Sequence, residues 1–213
     1  MRSNPPAPGP VSASDITRHH EADPRENPWV DGTPWPETAV VVRANPDWPA
    51  RYAEAARQIL ETLEAASVGT TIVCTLEHVG STAVPGLAAK DVIDIDLTVG
   101  DPTDEASYVP ALVAIGYTHV IREPSWHEHR MLRLAEPRVN LHVFGRDCPE
   151  LIRHRLFRDW LIEHPADRQR YESAKFAAAA SSVDGVQTRE YNAAKERVIH
   201  EIYGRAFLAA GLI

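Results

Sequence analysis

The chain has 213 residues, with 22 Lys and Arg against 30 Asp and Glu and a formal charge of −8. That length fits one domain plus a tail. The acidic balance disfavours a bulk nucleic-acid binder, which needs many phosphate-neutralising cations, but leaves room for a small anionic ligand at one local site. No apolar run reaches the roughly 18 residues of a membrane span. No basic stretch followed by an apolar one reads as a secretory signal, and Cys74 and Cys148 match no metal or redox spacing. A reduced, cytoplasmic setting is therefore expected.

Eight of the 17 prolines lie in the first 36 residues. Residues 1–38 read as a Pro-rich, flexible extension, too polar to offset its own ordering entropy. Trp29 and Trp35 stand out in it, either pinning the tail to the domain or serving as a hook for a partner. The pair His19-His20 reads as a solvated tail feature. From Ala39 a domain begins. Val40-Val41-Val42 is a short β-prone run. Asp47 is a plausible N-cap and Pro49 suits the first turn of a helix. Tyr52, Ala56, Ile59 and Leu63 give that helix an apolar stripe.

Thr71–Val79 and Asp91–Val99 read as strands, the second burying Ile93, Ile95, Leu97 and Val99 on one face. Glu105–Ile115 reads as a helix closed by Gly116. Tyr117–Ile121, Arg130–Leu134 and Val139–Phe144 are three further strands. After Pro149 the pattern turns helical, with Leu151, Leu156, Trp160 and Leu161 on one stripe stopped at His164-Pro165. Ala166–Ala180 and a segment from Thr188 through Tyr191, Val198, Ile202 and Phe207 complete a helical C-terminal part. The fold class is α/β (α+β).

The stretch from Glu77 to Leu97 carries the chemistry. A strand ends in Gly80-Ser81, a Gly- and Pro-bearing loop follows, and the next strand bears Asp94 and Asp96. Residues i and i+2 of a strand share a face, so the two Cα atoms lie roughly 6.6 Å apart. Adjacent carboxylates repel unless a cation sits between them, and Mg²⁺ prefers one or two carboxylates plus phosphate oxygens. Gly80 lets a backbone approach closely, while Ser81, Thr82 and nearby N–H groups suit a phosphate. Lys90 adds positive charge. An Asp-x-Asp alone is commonly a solvated strand face; Gly-Ser, a 12-residue spacer and Asp-x-Asp together are far more specific.

This joint pattern resembles the nucleotidyltransferase superfamily signature of the DNA polymerase β type. The wider stretch resembles the GrpB family, through Asn45-Pro46-Asp47-Trp48-Pro49, the run Glu77 to Lys90, Asn140-Leu141-His142-Val143, Leu156 to Leu161, Tyr171 to Lys175 and Tyr191 to Lys195. The likeness spans about residues 39–205, with 206–213 as the tail of the last helix. It implies a mixed β-sheet, nucleotidyltransferase-like domain flanked by helices. It also implies a metal-dependent transfer of an NMP group from a nucleoside triphosphate to a small-molecule or protein acceptor. Asp94 and Asp96 would hold Mg²⁺; Gly80, Ser81, Thr82, Lys90, Arg155 and Arg158 would hold the phosphates.

Active members of that superfamily carry a third carboxylate on a neighbouring strand. Here His142 stands where that acid is expected, as a metal ligand, a general base or a hydrogen-bonded structural residue. Glu77 and the adjacent His78 are further candidates. The alternative is a non-catalytic nucleotide-binding module with a depleted metal site. Arg153 reads as part of a solvated helix face, His127-Glu128-His129 as a surface strand or loop, and Cys74 as a small core residue. A domain resembling GrpB is fused to dephospho-CoA kinase in some actinobacteria, but this chain has no Gly-x-x-x-x-Gly-Lys-Ser/Thr loop.

Overall fold

A computed structural model describes residues 11–21, 23–34, 40–66, 74–180 and 189–213. Met1–Pro10, Trp35, Ala39, the start of the first expected strand (residues 71–73) and Thr188 lie outside the described residues. Five strands form one sheet: β1 (Thr75–Val79), β2 (Ile93–Val99), β3 (Thr118–Glu123), β4 (His129–Leu134) and β5 (Val139–Gly145), in the order β1-β2-β5-β4-β3. β2 and β5 run parallel and the other neighbours antiparallel. The sheet is mixed and the fold is α+β. Among the described residues, no helix is long and apolar enough to cross a membrane.

Alternation fixes which face is buried. Ile93, Ile95, Leu97 and Val99 of β2 and Val139, Leu141 and Val143 of β5 pack against two helices, α2 (Trp48–Ala66) and α3 (Val109–Ala114). From α2 the cluster takes Trp48, Ala55, Ile59 and Leu63, close to the expected stripe. A one-residue slip of β2 would turn these four apolar side chains to the other face, so register is strongly specified. The opposite face, with Asp94, Asp96, Asn140 and His142, is left to the C-terminal helices α4 (Pro149–Glu163), α5 (Pro165–Ala180) and α6 (Arg189–Ala209).

Several expectations are corrected. Val40–Val42 forms no strand; Val42 makes a single bridge to Ala89. The helix expected over Glu105–Ile115 is split into a 3-10 turn, Glu105–Ser107, and α3. Pro110 explains the break: it has no N–H to continue a helix entered from Glu105, but fits the first turn of one starting at Val109. Gly116 ends the segment as expected, with φ +97.

The described part of the N-terminal extension is not free. A short helix, α1 (Ala13–Thr17), is capped by Ser12, whose hydroxyl accepts the Asp15 N–H at 3.2 Å. Its Ile16 is buried against Tyr203 and Phe207 of α6. Arg153, expected in solvent, is 5% exposed: Nη1 donates to the carbonyls of Ile16 (2.7 Å) and Arg18 (3.0 Å). Further on, Val30 N–H donates to the Val120 carbonyl and Arg122 N–H to the Pro28 carbonyl, and Trp29 bridges Ile121, so the chain lies along the outer edge of β3. Composition counts polar residues and prolines. It cannot see that one isoleucine and a row of carbonyls find partners on a distant helix.

Candidate functional site

The parallel register of β2 and β5 builds the site. It sets Asn140 opposite Asp94 and His142 opposite Asp96, all on the face away from the α2 core. Above that face, α4, α5 and α6 enclose a cleft of about 670 Å³ lined by Gly80, Ser81, Asp94, His142, Arg158 and Tyr171, among others. A corner of about 230 Å³ adjoins it, sharing Gly80, Ser81, Asp94, Asn140 and Tyr171 and adding Thr82, Lys90, Lys175 and Lys195. The larger space has aromatic and histidine walls and the smaller is edged by three lysines.

Gly80 is required where it stands. Its φ of +69 and ψ of −168 belong to a region open essentially to glycine. A Cβ there would lie 2.9 Å from Asp94 Cβ, and closer still to Oδ2. Asp94 is thus pressed against the Gly-Ser turn. Its Oδ1 accepts Asn140 Nδ2 at 2.9 Å, and His142 Nε2 lies 3.9 Å away. Burial disfavours the Asp94 charge, but His142, Asn140 and His154 outweigh it and hold the carboxyl below its ordinary range.

Asp96 is placed differently. It is 2% exposed, and Oδ2 accepts a hydrogen bond from His154 Nδ1 of α4 at 2.8 Å. Burial opposes a charge on His154, yet Asp96, Glu150 and Asp94 push it up to about 9, so it is an imidazolium at neutral pH. Asp96 Oδ1 is buried without a hydrogen-bond partner.

A second chain of contacts reaches the cleft along the sheet. Glu123 Oε2 meets His129 Nδ1 at 2.7 Å, and His129 Nε2 meets His142 Nδ1 at 3.0 Å. Burial and the charge of neighbouring His142 keep His129 well below its ordinary value, hence neutral. With its Nδ1 proton on Glu123, His129 accepts from His142 Nδ1–H. The other ring nitrogen, His142 Nε2, faces Asp94.

Lys175 is the buried amine of the corner. Its Nζ donates to Ser81 Oγ at 3.1 Å and to the Ala88 carbonyl. Burial, with Lys195 beside it, draws the amine down to about 7, and Glu172 opposes this.

The expected site residues therefore separate. Gly80, Ser81, Asp94, His142 and Arg158 line the cleft, while Thr82 and Lys90 line its lysine corner. Asp96, Glu77 and Arg155 line another depression. Glu77 is held there by Arg155 at 3.0 Å and Arg158 at 3.4 Å. His78 does not line the cleft: it stacks on Tyr52 of α2, and burial takes it down to about 4. Sequence reasoning missed His154, His129, Glu123, Asn140, Lys175 and Lys195. Asn140 had a readable signal, since it stands two residues before His142 as Asp94 stands before Asp96. Lys175 had another, lying between Tyr171 and Ala178 on the buried stripe of α5.

The family model of the GrpB protein matches residues 38–205. The chain belongs to the GrpB family. The conserved protein GrpB from Enterococcus faecalis superposes with a TM-score of 0.66 at 27% identity, covering 80% of this chain and 99% of that one. A UPF0157 protein of Halalkalibacterium halodurans is 41% identical over 162 residues, 76% of this chain and 79% of that protein. A dephospho-CoA kinase of Mycolicibacterium paratuberculosis is 31% identical over 194 residues, 78% of this chain but 46% of the kinase. The GrpB match begins at residue 38, so α1 and the segment along β3 precede it.

Proposed function

We propose that this GrpB protein binds a nucleoside triphosphate in the cleft and transfers its NMP group to a hydroxyl-bearing acceptor. The observation that carries the reading is the packing of Asp94 against Gly80-Ser81 at the junction of an aromatic cleft and a three-lysine corner. The larger space suits a nucleoside and the corner its phosphate tail, with Lys175 and the Ser81 hydroxyl as donors.

The family's expected Mg²⁺ can be tested against the donor set. Among the described residues no three His, Cys, Asp or Glu side chains form a ready metal cluster. Two carboxylates on one face, one with an unpartnered buried oxygen, still suit an ion completed by phosphate oxygens. Asp94 and Asp96 would hold it. When bound, it would neutralise the phosphates and stabilise charge developing at the α-phosphoryl group. The chain's own residues do the rest. Lys175 and Ser81 hold the tail, and His142 Nε2 takes the acceptor's proton. The acceptor oxygen bonds to the α-phosphorus, the bridging P–O bond breaks and pyrophosphate leaves.

A second reading is a nucleotide-binding module without transfer. It is favoured by His154, which already supplies Asp96 with a positive partner, and by His142 where the third acid is expected. Calorimetry with Mg²⁺–nucleoside triphosphates, together with pyrophosphate release over acceptors including dephospho-CoA, separates the two. Binding with release supports transfer, and binding without release supports the module. No binding of any triphosphate overturns both.

A further inference from the structure

The segment from Val11 to Pro34 touches both walls of the cleft, and two pairs of histidines sit at its crossing. From α1 on the helical wall it passes to the turn joining β3 and β4. His20 Nε2 contacts the Ser125 carbonyl at 3.0 Å, and Asp23 N–H donates to Ser125 Oγ at 2.9 Å. Glu26 Oε2 accepts Ser125 N–H at 3.2 Å before the chain joins the β3 edge. His20 itself lines the cleft. The turn it holds is unusual, with His127 and Glu128 at φ +57 and +52.

The histidines meet ring to ring. His19 lies 3.9 Å from His200 of α6, centroid to centroid, and His20 lies 4.9 Å from His127. Arg153 adds a fixed positive charge, with Nη2 3.1 Å from His19 Nδ1. We propose that residues 11–21 and 23–34 are a strap closing the cleft, held by these two ring pairs while His19 and His127 are neutral and released when those two imidazoles take up protons.

Burial and the charges around each pair set the sign. His19 faces His200 and Glu196 of α6 and Arg153 of α4. Burial, His200 and Arg153 hold it below 6.5, with Glu196 opposing. His127 faces His20, Asp15 of α1, His129 of β4, and Arg153 and Glu150 of α4, the last 3.9 Å from Nε2. Burial, His20 and Arg153 lower it too, with Asp15 opposing. A histidine depressed in the closed form binds its proton more readily in the open one. Closure is therefore complete above about pH 6.5 and weakens as pH falls below it. Each unit of depression is worth about tenfold in the open-to-closed ratio.

Hydrogen exchange of the full chain at about pH 8 and about pH 5.5, corrected for intrinsic rates, tests this. Peptides over residues 11–34 are expected to lose at least about tenfold protection on acidification, while β2 keeps its own. In the double variant His19→Phe/His127→Phe, which removes the two depressed imidazoles and keeps a ring in each pair, the loss shrinks to less than about threefold. If that variant is already open at about pH 8, His19→Phe and His127→Phe are read singly, each expected to reduce the pH response. Equal protection at both pH values overturns the strap. So does an undiminished response in the variants, or β2 losing protection in step with the segment.

Discussion

Replacing Gly80 by Ala tests the central geometry most directly. The backbone there, φ +69 and ψ −168, costs a non-glycine residue about 1–3 kcal/mol. The new methyl would also sit 2.9 Å from Asp94 Cβ and 3.0 Å from Cγ, well inside contact distance. Asp94 cannot yield freely, because Asn140 Nδ2 holds Oδ1 at 2.9 Å, and hydrogen bonds to charged groups contribute about 1.5–3 kcal/mol. If the carboxylate moves and that bond breaks, the two effects give a loss of about 2.5–6 kcal/mol. Urea unfolding measures it as a lower midpoint at constant slope. The same variant should weaken Mg²⁺–nucleotide binding at least about tenfold, a change of about 1.4 kcal/mol. A loss below about 1 kcal/mol with unchanged affinity would refute the claim that Gly80 is fixed by Asp94.

Three further outcomes are expected. Lys175→Met removes the buried amine from the corner and should lower affinity for inorganic tripolyphosphate by about tenfold in calorimetry; equal affinity removes the corner as a phosphate site. Glu105 is held at about 2 by its hydrogen bonds to Arg122 and, against burial, to Arg130. Because its folded value is depressed, the stability it gives is present above about pH 4.5 and is lost as pH falls toward about 2. Glu105→Gln should therefore flatten that part of a pH–stability curve by about 2–3 kcal/mol, and an unchanged acid arm would contradict the ion pairs. Arg153→Met leaves Glu150, 6% exposed, without the guanidinium 3.0 Å away, and should cost about 3–5 kcal/mol. It should also expose residues 11–34 to protease at neutral pH, and an intact segment in that variant would show that Arg153 does not anchor it.

Local patterns were the legible part of this molecule. Alternation identified β2, and the Gly-Ser turn and the acidic pair were read from their spacing alone. What escaped was set by pairing between distant segments. Asp94 and Asp96 look equivalent in sequence, but α4 carries His154 onto Asp96 and leaves Asp94 to the cleft. His129 looked like part of a loop because β4 begins there, and its cross-strand neighbour His142 lies 13 residues on. Arg153 looked solvated because the segment covering it lies 137 residues earlier. A helical periodicity says which side of α4 is apolar, not that an arginine there will meet carbonyls of α1.

The acids on the site face show how the two functional readings differ in sign. Glu77 is paired with Arg155 and Arg158, Asp96 with His154 and Glu123 with His129. Asp94 is the carboxylate that lines both the cleft and the lysine corner among the described residues. A phosphate entering that junction meets a negative charge. If Mg²⁺ bridges the two, Asp94 is attractive through the ion, and Asp94→Asn should weaken Mg²⁺–triphosphate binding by at least about tenfold. If the lysines alone hold the phosphate, Asp94 is simply repulsive. The same substitution should then strengthen binding, most clearly at low salt, where the interaction is less screened. Titrating Asp94→Asn with a triphosphate, with and without Mg²⁺, reads this directly: weakening confined to the Mg²⁺ arm supports the transferase reading, and strengthening in both arms supports the module. Identical isotherms for wild type and variant would take Asp94 out of the site.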